Sequence, residues 1–351
     1  MPSEYMNSYE RVMAVLNGRK PDRLPVINPT SIATLDSMEI SGAWFPEVHN
    51  NAEKMAALAA VGHDVLGFDS VEPYFSVQNE AAAFGAVIDW GSREEMPKQR
   101  RHVLDMEDLP DYVIRDDYLE QLPMKTVVDA IRILKDKYGD TVAVMGKVMG
   151  PWTLSYNLIG TQEFLMETIM DPDLVELALQ RFKEISLRFA LAQVAAGADI
   201  ITWCDHATGN LVSAEMYGRF LLPVQTEMVR RFHEETKKIT NRYVPLFLHC
   251  CGRANDRLHL FKKAGFDAFH FDSVNNIAEM MQIAGDDILL TGCVNNPRVL
   301  LQGSTEDVEH QVTEIIKNGV KLISPECAIP CRVSNENLKT IVSTSRKLTL
   351  S

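Results

Sequence analysis

The sequence predicts an α/β fold: a (β/α)8 TIM barrel with an N-terminal helix and a long insertion after the second strand. Three observations support this class. The 351 residues are enough for a barrel of this kind. Eight short apolar runs alternate with helical patterns. The chain also lacks the glycine-rich dinucleotide fingerprint that would favour a doubly wound sheet. We therefore expect residues 1–351 to form a single barrel domain.

The predicted elements follow in chain order. A helix at residues 5–17 precedes the first strand and is expected to close the lower end of the barrel. The apolar runs predicted as buried strands are residues 23–29, 64–70, 142–149, 198–205, 243–251, 268–273, 287–295 and 321–327. Helical periodicity covers residues 50–61, 124–138, 172–196, 213–239, 254–264, 276–284, 304–318 and 334–347. The connection between the first two strands is the least regular.

Residues typical of helix ends support these boundaries. Six glycines stand just after helical patterns and before strands, where left-handed C-terminal caps are expected: Gly62, Gly139, Gly197, Gly265, Gly285 and Gly319. Asp171 followed by Pro172 is typical of a helix N-terminus. Ser304 with Asp307 approximates a capping box.

A long insertion, residues 71–123, follows the second predicted strand. It contains a strand-like piece at residues 84–90 and a charged stretch at residues 93–101. A connection of this length at the carboxyl end of a strand is more often a lid or a partner surface than a neutral spacer. We expect one of these two roles.

Composition and charge exclude several classes of protein. A content of 46% hydrophobic and 24% charged residues is typical of a folded enzyme and excludes a disordered chain. The net charge of -13 argues against a nucleic-acid partner, because that affinity depends on clustered Lys and Arg. No apolar run approaches the roughly 20 residues that span a bilayer, and residues 1–10 lack a signal-peptide core. We expect a cytoplasmic protein without membrane contact.

All six cysteines lie at or just beyond the carboxyl ends of predicted strands, where a barrel enzyme has its active site. They are Cys204, Cys250, Cys251, Cys293, Cys327 and Cys331. Six are too few for a disulfide scaffold, and in a reducing compartment such residues more often bind metal or perform chemistry. The same rim carries other polar residues: Asp205, His206, His249, Asp272, Asn295, Asn296 and Glu326.

Three of these residues predict a metal site. Side chains alternate along a strand, so His249 and Cys251 point to the same side and can share one ion. Adding Cys327 gives one nitrogen and two sulfur ligands, a set that suits Zn²⁺ and leaves a fourth position for Asp272, water or a substrate. The alternative is plain packing, since free cysteine is often buried. We prefer packing for Cys204, Cys250 and Cys293.

Several segments together resemble the uroporphyrinogen decarboxylase superfamily. They are residues 6–26 (MNSYERVMAVLNGRKPDRLPV), residues 150–154 (GPWTL), the H-x-C-G motif at His249, Cys251 and Gly252, and PEC-x-IP around Cys327. The resemblance covers essentially the whole chain. The zinc motif and the stretch GAWFPEVHNNAEKMAALAAVGHDVLGFDSV look like the methylcobamide:coenzyme M methyltransferase branch. After the first strand, this chain has INPTSIATLD where true decarboxylases carry an arginine-containing motif.

The resemblance implies a zinc enzyme that moves a methyl group from a methylated corrinoid, carried by a separate corrinoid protein, to a small-molecule thiol. Its zinc ligands fall on His249, Cys251 and Cys327, and Asp272 stands where an acidic residue could complete the zinc shell. Coenzyme M is the default acceptor, while homocysteine, another thiol or tetrahydrofolate remain open. Two other classes also remain open: a metal-free lyase of the decarboxylase type, and a non-catalytic partner of a corrinoid protein.

The remaining candidates carry two interpretations each. Asp205 and His206 either orient groups and handle protons or form a satisfied rim pair. Glu326 stands where the methyltransferases usually have glycine, and it is expected to accept a proton or to select a cationic acceptor. Asn295 either binds an anionic head group or belongs to a turn. Finally, the residues that either line a cavity for the corrin face or belong to the core are Met149, Trp152 and Tyr156. The basic residues near the barrel form no obvious cluster: Lys147, Arg253, Arg298 and Arg332.

Overall fold

A curled parallel sheet surrounded by helices forms the protein. The structure is a computed structural model that describes residues 4–349. Its strands are β1 (Ser70–Val71), β2 (Val87–Asp89), β3 (Lys98–Arg101), β4 (Ala143–Met149), β5 (Ile200–Cys204), β6 (Leu246–Cys250), β7 (Ala268–Phe271), β8 (Leu289–Val294) and β9 (Leu322–Pro325). The main sheet has the order β1-β4-β5-β6-β7-β8-β9, and its neighbouring strands are all parallel.

Fourteen α-helices lie within the described residues. They are α1 (Ser8–Leu16), α2 (Leu35–Ser41), α3 (Ala52–Asp64), α4 (Asn79–Ala83), α5 (Leu122–Tyr138), α6 (Pro151–Leu158), α7 (Thr161–Met170), α8 (Pro172–Ala195), α9 (Ala214–Met216), α10 (Leu222–Thr240), α11 (Leu258–Ala264), α12 (Ile277–Ala284), α13 (Thr305–Lys317) and α14 (Asn335–Thr349). Short 3-10 turns cover Glu47–Asn50, Met106–Asp108 and Tyr118–Glu120, and π-helical turns cover Tyr217–Leu221 and Asn296–Leu301. In this part of the chain, no helix is both long and apolar enough to cross a bilayer.

An extended segment around Val26 joins the two edges of the main sheet. Val26 forms a parallel bridge with Ile323 of β9. The N–H of Ile27 donates to the carbonyl of Ile323 at 2.9 Å, and the N–H of Ile323 donates to the carbonyl of Pro25 at 3.1 Å. On the other side, the N–H of Asp69 donates to the carbonyl of Val26. These bonds complete the ring and confirm the predicted α/β barrel.

The first two predicted strands are much shorter than expected. Residues 23–29 contribute only the bridge at Val26, since Pro25 and Pro29 have no N–H to donate to a neighbouring strand. The strand predicted at residues 64–70 begins only at Ser70, because α3 continues through Asp64. The cap predicted at Gly62 was therefore wrong, and the chain turns instead at Gly67, whose φ is +81°.

The carboxyl half of the chain follows the predicted order more closely. The helix predicted at residues 213–239 is divided into α9, the π-helical turn Tyr217–Leu221 and α10. Helices α6 and α7 were not predicted. The Ser304–Asp307 capping box and the Asp171 cap are both present.

Helix α1 closes the lower end of the barrel, as predicted. Val12 and Val15 pack in a buried cluster with inward-facing residues of the strands, namely Ile27, Ala143, Met145, Ile200, Phe247, Ala268 and Leu322. Polar contacts fix the same end: the buried carboxylate of Asp69 accepts hydrogen bonds from Arg11 at 2.8 Å and from Arg23 at 2.7 and 2.9 Å. Active sites of such barrels lie at the opposite end, at the carboxyl ends of the strands.

The insertion folds into separate short elements. The strand-like piece at residues 84–90 forms β2, which pairs antiparallel with β3 from the charged stretch. Helix α4 and two of the 3-10 turns complete the segment. Whether it acts as a lid or a partner surface stays a prediction.

Candidate metal centre

A cavity of about 280 Å³ lies at the carboxyl ends of the strands. His249, Cys251 and Cys327 form part of its wall, together with residues from β4, β5 and α6. Among the residues that line it, all of which are described, Lys147 is the only lysine or arginine. Part of the residues predicted at the rim therefore meet a space large enough for a small ligand, namely Cys204, Asp205, His206, His249, Cys251 and Cys327.

The side-chain donor atoms of His249, Cys251 and Cys327 form a compact triangle. Nε2 of His249 is 3.1 Å from Sγ of Cys251 and 3.6 Å from Sγ of Cys327. The two sulfur atoms are 3.3 Å apart. No other His, Cys, Asp or Glu of the described residues joins this group. The sequence-predicted trio is thus brought together around one point.

The dimensions of the triangle fit zinc. In a tetrahedral site, Zn–S bonds of about 2.3 Å and Zn–N bonds of about 2.0 Å place two sulfurs about 3.8 Å apart, and sulfur and nitrogen about 3.5 Å apart. The separations in the triangle lie within about 0.5 Å of these values. One nitrogen and two sulfurs suit zinc, and three protein ligands leave a fourth position open.

His249 is held in one orientation by its neighbour on β7. Its Nδ1 lies 3.3 Å from the backbone carbonyl of His270, so Nδ1–H donates there and Nε2 keeps its lone pair for a metal. The His270 ring lies 4.6 Å from the His249 ring, and its Nε2 donates to the carbonyl of Pro325 at 2.7 Å. Burial holds the pKa of His270 well below its usual value. Sequence analysis missed His270, although strand alternation places it on the same face as Asp272.

The two cysteine sulfurs share a proton unequally. The thiol of Cys251 donates to Cys327, which raises the pKa of Cys251 well above its usual value and lowers that of Cys327 well below it. The ring of His249 lowers the pKa of Cys327 further. Of the two sulfurs, that of Cys327 therefore has the greater thiolate character.

Asp272 fixes the turn beside the triangle of His249, Cys251 and Cys327. Its carboxylate accepts hydrogen bonds from the N–H groups of Gly252 at 2.9 Å and Val274 at 3.2 Å. Gly252 has a φ of +80°, and a Cβ there would lie 2.4 Å from Oγ1 of Thr208. The H-x-C-G motif therefore needs its glycine. The structure leaves Asp272 outside the ligand triangle, so its role as fourth ligand stays a prediction.

Asp205 caps helix α6. Its carboxylate accepts from the N–H groups of Trp152 and Thr153, both at 3.0 Å, and from the Gln225 side chain at 2.9 Å. Burial outweighs these bonds and raises the pKa of Asp205 to about 7. His206 lies in the cavity wall, where burial lowers its pKa and the His249 ring lowers it further. Both residues of this pair line the cavity.

Glu326 and Asn295 lie behind the triangle, outside the residues that line the cavity. The Glu326 carboxylate accepts from the N–H groups of Ser273 at 3.0 Å and Asn296 at 2.9 Å, and burial raises its pKa. The Asn295 side chain accepts from the N–H of Arg298 at 2.7 Å and caps the following turn. Both residues hold loops in these positions, and for Asn295 this favours the turn interpretation. Their catalytic and head-group roles stay predictions.

The three residues predicted to face a corrin differ in position. Met149 and Tyr156 line the cavity, whereas Trp152 is buried against Phe164, with ring centroids 5.0 Å apart. Trp152 Nε1 donates to the Tyr156 hydroxyl at 2.6 Å. Trp152 therefore supports Tyr156 from the core.

The extra cysteines lie outside the triangle. Cys250 and Cys293 are fully buried, which accords with the packing preferred for them, while Cys204 reaches the cavity wall. Sequence analysis also missed a buried polar group on the barrel side of the cavity, formed by Glu72, Tyr74 and Glu80 around Lys147. It lies where the insertion meets β4, and no local sequence pattern indicates that contact.

Comparisons with known proteins show which family the chain belongs to. The family model for uroporphyrinogen decarboxylase (URO-D) matches residues 7–348. The methylcobamide:CoM methyltransferase MtbA of Methanosarcina acetivorans is 30% identical over 342 residues, covering 96% of this chain and 97% of that protein. The methylcobamide:CoM methyltransferase MtaA of Methanosarcina barkeri is 29% identical, covering 95% and 96%.

A solved structure agrees as well. The structure of a methyltransferase from Methanosarcina mazei superposes with a TM-score of 0.90 at 27% identity and covers 98% of this chain and 99% of that one. The family match and the relatives extend over nearly the whole chain. The protein is therefore a methyltransferase that belongs to the uroporphyrinogen decarboxylase (URO-D) family.

Proposed function

We propose that this protein transfers a methyl group from a methylated corrinoid, carried by a separate corrinoid protein, to the thiol of a small acceptor such as coenzyme M. His249, Cys251 and Cys327 hold Zn²⁺ in this proposal. The single observation that carries it is the triangle of one nitrogen and two sulfurs at the wall of a small cavity. The names of the relatives, methylcobamide:CoM methyltransferases, support the donor and the acceptor.

The chemistry follows from the donor set. When bound, zinc would lower the pKa of an acceptor thiol and present it as a thiolate. The thiolate sulfur forms a bond to the methyl carbon while the cobalt–carbon bond breaks, and the electron pair of that bond stays on the corrinoid as Co(I). Two cysteine thiolates leave the site nearly neutral, so the acceptor sulfur keeps the electron density needed for attack.

The proton of the acceptor thiol needs a destination. The His206 side chain lies in the cavity wall, where burial lowers its pKa, and a ring nitrogen of this side chain is the proton acceptor in this proposal. Asp205 positions the start of α6, which carries Tyr156 in the cavity wall. In this proposal His206 accepts the proton and Asp205 orients α6. The methyl group is supplied by the corrinoid protein.

The size of the cavity separates the two substrates. A space of about 280 Å³ accommodates a short thiol but is too small for a whole corrinoid. The methylated corrinoid must therefore approach at the mouth, where Val77 of the insertion is half exposed and also lines the cavity. We propose that residues 71–123 form part of the docking face for the corrinoid protein.

The unpaired state of all six cysteines accords with a cytoplasmic location.

The alternatives are less well supported. A decarboxylase-type lyase needs several cations to hold substrate carboxylates, and the cavity wall offers only Lys147. Transfer to homocysteine would use the same zinc chemistry. Tetrahydrofolate is much larger than the cavity and would need to bind at the mouth.

Methyl transfer itself tests the proposal. Zinc-loaded protein is mixed with methylcob(III)alamin and, separately, with coenzyme M, homocysteine or tetrahydrofolate, and the corrinoid absorbance is followed. We expect thiol-dependent loss of methylcob(III)alamin, and loss of that activity in Cys327→Ala but not in the neighbouring Cys331→Ala. Activity that is independent of zinc, or that persists in Cys327→Ala, would overturn the proposal.

A further inference from the structure

A buried lysine reaches the same cavity as the metal ligands. Lys147 lies on β4 with only 3% of its surface exposed, yet it forms part of the cavity wall. Its Nζ donates to the backbone carbonyl of Thr30 at 3.0 Å and to that of Tyr74 at 2.9 Å. These two loops hold the ammonium group in place and use two of its three N–H donors.

The third donor of Lys147 has no hydrogen-bonded anion among the described residues. Oε2 of Glu72 lies 3.7 Å from Nζ, beyond hydrogen-bond distance, and neither carboxylate oxygen of Glu72 has a hydrogen-bond partner there. Burial raises the pKa of Glu72 well above its usual value, while the nearby Lys147 opposes that shift. The other nearby carboxylate, Glu80, accepts from the Tyr74 hydroxyl and from the N–H of Met149.

Lys147 lies below the metal ligands on the inner face of the barrel. Met149 is in register with Cys204, which is in register with His249. Lys147 precedes Met149 by two residues on the same face of β4, so it lies about 7 Å further down the barrel. Lys147 and the three residues of the triangle line the same cavity, so a short acceptor with its sulfur at the triangle can extend towards Lys147.

We propose that Lys147 is a specificity-determining residue that binds an anionic group, a sulfonate or a carboxylate, at the far end of the acceptor thiol. This inference rests on the proposed function, because it takes the metal-bound sulfur as the other anchor. The remaining contacts of the ammonium group are long, 3.7 Å to Oε2 of Glu72 and 4.6 Å to the centre of the Tyr74 ring. An anion at hydrogen-bond distance would stabilise it further. The two anchors together select short thiols that carry a negative charge.

Three thiols of similar length test the assignment: 2-mercaptoethanesulfonate, 3-mercaptopropionate and the neutral 2-mercaptoethanol. Methyl transfer from methylcob(III)alamin is measured with zinc-loaded wild type and Lys147→Met. We expect the substitution to lower kcat/KM about 10- to 100-fold for the two anionic thiols, and less than about threefold for the neutral thiol. The ratio of the wild-type kcat/KM values for the two anionic thiols shows which head group fits better.

Lys183→Met is a matched control. Lys183 is also a buried lysine, but it lies on α8 outside the cavity wall. We expect its kcat/KM values to stay within about threefold of wild type for all three thiols. Equal loss for all three in Lys147→Met with zinc retained, or a wild type that uses the neutral thiol as well as the anionic ones, overturns the inference.

A binding measurement keeps this test independent of activity and of variant folding. Calorimetric titration of zinc-loaded wild type is expected to give at least about tenfold tighter binding of 2-mercaptoethanesulfonate than of 2-mercaptoethanol. Equal affinities refute the role of Lys147 even if Lys147→Met does not fold. If no thiol is methylated, the proposed function fails, while this preference still reports on the lysine.

Discussion

Removal of one sulfur from the ligand triangle is the most direct perturbation of the proposed centre. Cys251→Ala deletes the atom that lies 3.1 Å from His249 Nε2 and 3.3 Å from Cys327 Sγ. The neighbouring Cys250 is the matched control. It is one residue earlier, fully buried and directed to the opposite side of the strand, and its sulfur is not part of the triangle.

The expected loss follows from the number of ligands. Structural zinc sites with four protein ligands have binding free energies of about 10–16 kcal/mol, or about 2.5–4 kcal/mol for each ligand. At 1.4 kcal/mol for each factor of ten, Cys251→Ala should weaken zinc binding about 10²- to 10³-fold. The Cys250→Ala variant removes a packed sulfur and no ligand, so its zinc affinity should stay within about threefold of wild type.

Zinc affinity is measured by competition with a chelator of known affinity, and folding is checked by far-ultraviolet circular dichroism. Zinc content after purification gives a second, simpler readout: about one ion per chain in wild type and in Cys250→Ala, and much less in Cys251→Ala. Equal zinc affinity in the two variants, or a folded wild type that binds no zinc after reconstitution, would refute the reasoning.

Three further predictions concern the surroundings of the site and the lower end of the barrel. The pKa of Asp205 is raised from 3.8 to about 7 by burial, so its contribution to stability is complete below about pH 4 and is lost as the pH rises towards 7. The free energy of unfolding of Asp205→Asn, from urea titrations at several pH values, should lack this slope. An unchanged slope contradicts the assignment. Asp69→Asn breaks a buried pair with Arg11 and Arg23 and should cost about 3–5 kcal/mol in the same assay; a loss below about 1 kcal/mol would show that the network is dispensable. Glu326→Gln should cost about 1–3 kcal/mol of stability, because one backbone N–H loses its acceptor, while zinc affinity stays within about threefold. Loss of methyl transfer by a stably folded Glu326→Gln would instead favour a catalytic role.

The close approach of His249, Cys251 and Cys327 was predictable because all three lie at the carboxyl ends of barrel strands. Side-chain alternation in β6 places His249 and Cys251 together, and the end of β9 brings Cys327 to the same rim. The closing helix α1 was predictable from periodicity alone. In contrast, the lengths of the first two strands were overestimated. The apolar composition of these segments does not account for the missing N–H of Pro25 or for the continuation of α3 to Asp64.

The polar surroundings of Lys147 were not predictable from local patterns. Thr30 and Tyr74 lie 117 and 73 residues from Lys147 in the sequence, and they contact it through backbone carbonyls that carry no sequence signature. The roles expected for Glu326 and Asn295 show a related limit. Their positions at strand ends suggested contact with a ligand, but side-chain direction depends on loops whose conformation is set by tertiary contacts.

The apolar plug at the lower end has a practical consequence for engineering. The layer that α1 seals holds the strands together, whereas the cavity and its ligands occupy the opposite end. Substitutions that improve packing around Val12 and Val15 can therefore raise stability without touching the acceptor. The added stability would offset the stability that is usually lost when residues of a cavity wall are substituted. The barrel therefore suits experiments that alter the preference for the proposed acceptor.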